Sequence, residues 1–254
     1  MTDTNLQGAA DSFISHLVEL RDRLVKASIG IALVCAGLFA WPGPSAIYDI
    51  LAQPMIASLP VGAKMIATGV ISPFLVPMKV TLLVAFMLAL PWVLYQAWAF
   101  VAPGLYTHEK RLVAPLVISS SLLFMSGVAF CYFFVFGRVF KFINEFAPTS
   151  ITVAPDIENY LDFIMSMCLA FGMTFEVPIV VVVLVRMGLV PLEKLKAIRS
   201  YVIVGAFVIA AIVTPPDIVS QFSLAIPMCL LYELGLLVAP IFVKATQAPD
   251  EIID

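Results

Sequence analysis

The sequence contains little charge for a chain of 254 residues. Only 12% of its residues are Asp, Glu, Lys or Arg, whereas soluble globular domains carry about a quarter. Two histidines, and four cysteines without CxxC spacing, argue against a metal centre or a disulfide framework. The net charge of −3 does not indicate nucleic-acid binding. We therefore expect neither a soluble domain nor a metal or cofactor site.

Apolar residues dominate instead, at 62% of the chain. They form six segments, most of which approach or exceed the roughly 20 helical residues that cross a bilayer core of about 30 Å. The segments are 24–41, 74–100, 112–136, 160–185, 201–213 and 218–243. The predicted fold is an all-α, polytopic membrane protein with six transmembrane helices in a single membrane domain, 1–254. Within it, residues 1–23 form an amphipathic cytoplasmic helix, 24–243 the six-span core and 244–254 a short cytoplasmic tail.

The basic residues are distributed unevenly between the two sides of this core. Four lie on one side: Lys64, Lys79, Arg138 and Lys141. Ten lie on the other: Arg21, Arg23, Lys26, Lys110, Arg111, Arg186, Lys194, Lys196, Arg199 and Lys244. Because cytoplasmic loops carry the excess of Lys and Arg, both termini are predicted to be cytoplasmic.

The fifth segment is unusually short. Its 13 residues, YVIVGAFVIAAIV, span only about 20 Å as a helix before Pro215 and Pro216. Either the bilayer thins around it, or flanking residues lengthen the helix on its cytoplasmic side.

The N-terminal stretch SFISHLVELRDRLVKAS is amphipathic, so we expect it to lie along the cytoplasmic interface before turning into the first span. Glu19 within it has two interpretations: an ion pair with Arg23 four residues later, or a binding carboxylate. Glu109, beside Lys110 and Arg111, similarly balances local charge or binds a ligand. Two cytoplasmic carboxylates suit a cationic peptide, because a guanidinium donates paired N–H bonds that an ammonium cannot match.

Two glutamates lie inside apolar segments, Glu176 and Glu233. A carboxylate at the centre of a bilayer costs at least about 2.5–3.5 kcal/mol, so each needs a reason. Glu176 is either a protonated carboxyl bonded to a neighbouring helix, or a proton relay or polar contact for a substrate. Prolines inside the spans, Pro91, Pro178 and Pro227, are expected to kink their helices.

Five stretches, in this order and spacing, resemble the TatC family, the six-span core of bacterial twin-arginine protein translocases. They are HLVELRDRL, ISPFLVPMK, YQAWAFVAPGLYTHEKR, FEVPIVVV and TPPDIVSQ. The resemblance implies a concave, cup-like wall of helices in the cytoplasmic membrane. It implies a receptor for signal peptides with consecutive arginines and export of folded proteins driven by the proton-motive force. It also implies TatA and TatB as single-span partners, self-association in a receptor complex, and no enzymatic activity.

The same resemblance assigns roles to individual residues. It implies signal-peptide binding at Glu19 and Glu109, with Phe100 and Leu105 on the same surface. It places Glu176 on the concave wall within the membrane. On the opposite side it implies functional roles for Pro54 and Asp217.

Two other classes compete with this interpretation. A secondary transporter would use Glu176 and Glu233 as ion sites, but the two halves show no repeat. An intramembrane hydrolase would need a nucleophile with a base, yet the sequence has no GxSxG or HExxH motif. Only the translocase interpretation uses Glu19 and Glu109 as well as Glu176.

Overall fold

A computed structural model describes residues 2–57, 65–101, 113–146, 154–214 and 217–244. Within these ranges the chain is helical, with a single isolated β-bridge between Ile66 and Asp156. The helices are α1 (Thr2–Ala40), α2 (Pro44–Ile56), α3 (Ser72–Val101), α4 (Val113–Phe130), a π-helical turn (Cys131–Val135), α5 (Phe136–Phe146), α6 (Ile157–Phe175), α7 (Val177–Arg186), α8 (Leu192–Ala197), α9 (Arg199–Val213) and α10 (Ile218–Lys244). The predicted all-α class is confirmed.

Five of these helical stretches are long and apolar enough to span a membrane. They are Ile14–Ala40, Ser72–Phe100, Val113–Ile143, Ile157–Arg186 and Ile218–Ile241. The remaining apolar helix is α9, which has 15 residues and is about 22 Å long. Extension of the fifth segment at its N-terminal end therefore amounts to two residues, Arg199 and Ser200, because Ile198 separates α9 from α8.

The structure corrects one expectation at the N-terminus. Helix α1 continues through residues 23 and 24 without a break, so the predicted turn between the amphipathic stretch and the first span is wrong. Glu19 and Arg23 form an ion pair one turn apart within this helix, so these charged residues are accommodated without a change of direction.

The chain divides into two compact units, residues 1–43 with 81–121 and residues 44–80 with 122–254. In the first unit, α1 packs against the second half of α3. Gly30 makes this approach possible, since a Cβ there would collide with Cδ1 of Trp92. The Trp92 indole donates a hydrogen bond of 2.9 Å to the Lys26 carbonyl. This close contact fixes the height of α3 against α1.

In the second unit, small residues bring neighbouring helices together. A Cβ on Gly127 of α4 would lie 2.5 Å from the Phe171 carbonyl oxygen, and one on Gly172 of α6 would meet the Phe124 ring. Such contacts drive helix association in membranes, where lipid competes with apolar side chains. Cys131 and Cys168 are buried and unbridged, as expected of small hydrophobic residues.

A junction outside the helices joins the loop before α3 to the start of α6. The backbone of Ile66 bonds to Pro155 and Ile157, with N···O distances of 3.0 and 2.9 Å. Asp156 caps α6 and also accepts hydrogen bonds from the Thr68 amide and hydroxyl. These donors lower the pKa of Asp156. The sequence analysis did not single out this residue.

Candidate functional site

Glu19 lies on the side of α1 that faces α3, and it is half-buried. Its Oε1 accepts from Nε and Nη2 of Arg23 at 3.2 and 3.0 Å. Nη1 of Arg23 points to Oε1 of the buried Gln96 at 3.5 Å. The ion pair that the sequence suggested is therefore present. It holds the carboxylate in one orientation, because Arg23 is itself in contact with α3.

An aromatic contact continues this surface. Phe100 of α3 stacks on His16 of α1, with ring centroids 4.4 Å apart. Trp92, Gln96 and Phe100 are spaced one helical turn apart along α3 and meet α1 at three successive levels. The sequence analysis missed His16, although HLVEL places it one turn before Glu19. Glu109 and Leu105 lie outside the described residues.

Glu176 stands at the break in the fourth span, where α6 ends and α7 begins. The break follows from Pro178, which lacks the N–H that would continue the helix. The helix is interrupted at this position, whereas α3 and α10 continue through Pro91 and Pro227 without interruption. Glu176 lies ten residues before Arg186, the end of the span, and thus about 15 Å from it. That is about half the thickness of a hydrocarbon core.

The second intramembrane carboxylate has a partner. Glu233 Oε2 lies 2.9 Å from Nη2 of Arg199, the first residue of α9. Beside this pair, the Tyr232 hydroxyl donates to the Leu195 carbonyl at 2.8 Å and so anchors α8 on α10. Glu233 therefore links α10 to α9, and this ion pair is a structural reason for a carboxylate at this position.

Asp217 and Pro54 occupy helix ends. Asp217 caps α10 by accepting from the Ser220 amide at 2.7 Å. Within the described part of the chain its Oδ2 is buried without a hydrogen-bond partner. Pro54 lies in the last turn of α2. Together with Glu176, both belong to the second compact unit, whereas Glu19 and Phe100 belong to the first.

The described residues contain no group of three His, Cys, Asp or Glu side chains that could hold a metal ion. What they contain is a set of long apolar helices, one orientated carboxylate beside an aromatic pair, and one carboxylate at a helix break at membrane depth. These features define a multi-pass membrane protein.

Comparison with known proteins specifies the class. The family "Sec-independent protein translocase protein (TatC)" matches residues 15–227. The TatC protein of Haemophilus influenzae is 50% identical over 226 residues, which are 89% of this chain and 88% of that one. The TatC protein of Escherichia coli K12 is 47% identical over 240 residues, covering 94% and 92%. The Halothiobacillus neapolitanus TatC is 49% identical over 236 residues, 93% of this chain but 64% of that longer protein.

A solved structure agrees with the sequence matches. The crystal structure of a twin-arginine translocase receptor TatC superposes with a TM-score of 0.77 at 38% identity, covering 89% of this chain and 98% of that one. This chain belongs to the TatC family. It is a membrane component of a protein translocase and not an enzyme, as the sequence predicted.

Proposed function

We propose that this chain is the signal-peptide receptor and core subunit of a twin-arginine translocase that exports folded proteins, driven by the proton-motive force. The observation that carries the proposal is the half-buried, orientated Glu19 beside the stacked pair of Phe100 and His16. Because Arg23 already donates to Oε1 of Glu19, a peptide guanidinium must bind through Oε2 or take the place of Arg23, and the aromatic rings can contact its apolar neighbours. Glu109 and Leu105 belong to this surface by resemblance to the family.

The test is a binding measurement with a twin-arginine peptide. Loss of a hydrogen bond to a charged group costs roughly 1.5–3 kcal/mol, which corresponds to about 10- to 150-fold in affinity. Glu19→Ala and Glu109→Ala should each weaken binding, and replacing the peptide arginines with lysines should do so as strongly. Glu193→Ala, which removes an exposed carboxylate from α8, is the matched control. Unchanged affinity in the Glu19→Ala, Glu109→Ala double variant would refute the receptor role.

We place Glu176 in the translocation step and not in signal recognition. Its depth of about 15 Å from the end of the span offers a polar contact where lipid offers none. Asp217 and Pro54 belong, in this proposal, to the opposite face of the membrane. The partners are the single-span TatA and TatB subunits and further copies of this chain in a receptor complex.

The proposed location is the bacterial inner membrane, with both termini in the cytoplasm. The excess of basic residues on one side supports this orientation. Single cysteines introduced at Gly62 and Asn144 should react with an impermeant thiol reagent added to intact cells, whereas cysteines at Gly104 and Lys196 should not. The reverse labelling pattern would overturn the orientation and the placement of the peptide-binding surface.

A further inference from the structure

Pro54 leaves a backbone carbonyl of α2 without its usual donor. In an α-helix the amide of residue 54 would bond to the carbonyl of residue 50, but proline has no N–H. The Ile50 carbonyl accepts a hydrogen bond from the hydroxyl of Tyr132 instead, at 2.7 Å. Tyr132 belongs to the π-helical turn between α4 and α5, 82 residues away in sequence.

A second tyrosine bonds to the next carbonyl. The hydroxyl of Tyr160, from the first turn of α6, donates to the Leu51 carbonyl at 2.9 Å. Tyr160 is buried, and its ring lies against Phe140 with centroids 5.6 Å apart. Two hydroxyls from different membrane helices thus meet two consecutive carbonyls of α2.

Aromatic packing holds both tyrosines in place. Phe136, which is fully buried, lies against Tyr132 on one side and against Phe140 on the other, at 6.4 and 5.8 Å between ring centroids. The π-helical turn also matters, because such turns add a residue to the helix and recur at functional sites. This packing holds the ring of Tyr132 in place, and its hydroxyl bonds to α2.

We infer that Tyr132 is a positioning residue through which Pro54 acts: the proline frees the Ile50 carbonyl, and Tyr132, with Tyr160 beside it, uses that carbonyl to hold α2 in place. The inference deepens the proposed function, because it rests on the functional role assigned there to Pro54. It predicts that a small apolar residue cannot replace the proline at this position.

A double-mutant cycle tests this coupling. Tyr132→Phe removes only the hydroxyl, so hydrogen exchange of the α2 amides should accelerate about five- to tenfold, as expected for one lost hydrogen bond. In a Pro54→Ala background the same change should accelerate exchange less than about twofold, because the amide of the introduced alanine then bonds to the Ile50 carbonyl. Equal acceleration in both backgrounds would overturn the inference.

Tyr232→Phe is the matched control, since it deletes the same kind of hydroxyl–carbonyl bond at Leu195, far from α2 in sequence. The effect of Tyr232→Phe on hydrogen exchange should be the same in the unaltered chain and in the Pro54→Ala background. Tyr132→Phe should also reduce export of a twin-arginine cargo while leaving signal-peptide binding within about twofold; full export would overturn the positioning role. If Pro54→Ala alone exports normally while the cycle is coupled, the functional role proposed for Pro54 fails instead.

Discussion

The contact between Gly30 and Trp92 makes a prediction about signal recognition that can be tested far from the binding surface. A Cβ at residue 30 would collide with Cδ1 of Trp92 and would lie 2.7 Å from its Nε1. Gly30→Ala must therefore displace the indole or separate α1 from α3. Either response breaks the 2.9 Å bond from Trp92 to the Lys26 carbonyl. Because the same two helices carry Glu19 and Phe100, the recognition surface should be disturbed.

The magnitude follows from a comparison with a second glycine on the same helix. Gly37 has nothing within 4 Å of a Cβ built on it. Gly→Ala in a helix gains about 1 kcal/mol of intrinsic propensity at both positions, so the difference between the two variants reports the Trp92 contact alone. Overpacking costs about 1–3 kcal/mol and the lost hydrogen bond about 1 kcal/mol. If Trp92 rotates and relieves the overpacking, only the lost hydrogen bond remains, and Gly30→Ala is then about 1 kcal/mol less stable than Gly37→Ala.

The assay compares Gly30→Ala and Gly37→Ala for thermal unfolding in detergent and for binding of a twin-arginine peptide. Gly30→Ala should unfold several degrees below Gly37→Ala and bind the peptide more weakly. Gly37→Ala should bind like the unaltered chain. If the two variants bind with the same affinity, then the α1–α3 contact does not control the geometry of Glu19, and the reasoning is refuted.

Two further predictions concern the ends of the membrane helices. Inserting four leucines after Val208 lengthens α9 by about one turn, and it should reduce export while leaving peptide binding intact; full export by a stably inserted variant would count against a thinned bilayer as part of the mechanism. The pKa of Asp156 is lowered below its ordinary value of 3.8 by donors that include Thr68. Its contribution to stability is therefore complete above pH 3.8 and is lost as the pH falls through the lower folded-state pKa. Asp156→Asn should remove that part of the acid dependence of hydrogen exchange in residues 65–72, and an unchanged pH profile would contradict it.

The order of the long apolar helices was predictable because each apolar segment is a local signal. The continuous course of α1 was not predictable, because Arg21, Asp22 and Arg23 fit both a separate interfacial segment and one uninterrupted helix. The structure distinguishes these two alternatives. The short α9 was predictable, because Pro215 and Pro216 limit it at one end and Arg199 at the other.

The carboxylates of the candidate site were predictable from the sequence. Their partners were predictable only where the two residues lie close together in the chain. Glu19 and Arg23 are four residues apart, so their pairing follows from helical periodicity. Tyr132 and Ile50 are separated by 82 residues, and no local pattern links them. Glu233 and Arg199 are an intermediate case. They are almost equally far from the turn between α9 and α10, so the two antiparallel helices bring them to the same level. This symmetry is present in the sequence and would have revealed the pair.

That symmetry also fixes the apolar height of the α9–α10 hairpin. One end is polar because of Arg199 and Glu233, and the other because of Asp217 and Gln221, whose amide donates to the Phe207 carbonyl at 3.4 Å. The 15 residues of α9 between them span about 22 Å, so a core of about 30 Å exceeds the hairpin by about 8 Å.

At a fraction of a kcal/mol per Å, adapting a bilayer to this mismatch would cost a few kcal/mol, and we expect that strain beside the break at Glu176. Gly235 of α10 brings the hairpin against that break, since its Cβ position lies 3.0 Å from Cα of Pro178. The region where we expect the bilayer to thin and the break at Glu176 therefore belong to one packed group of helices. A lengthened α9 would separate them.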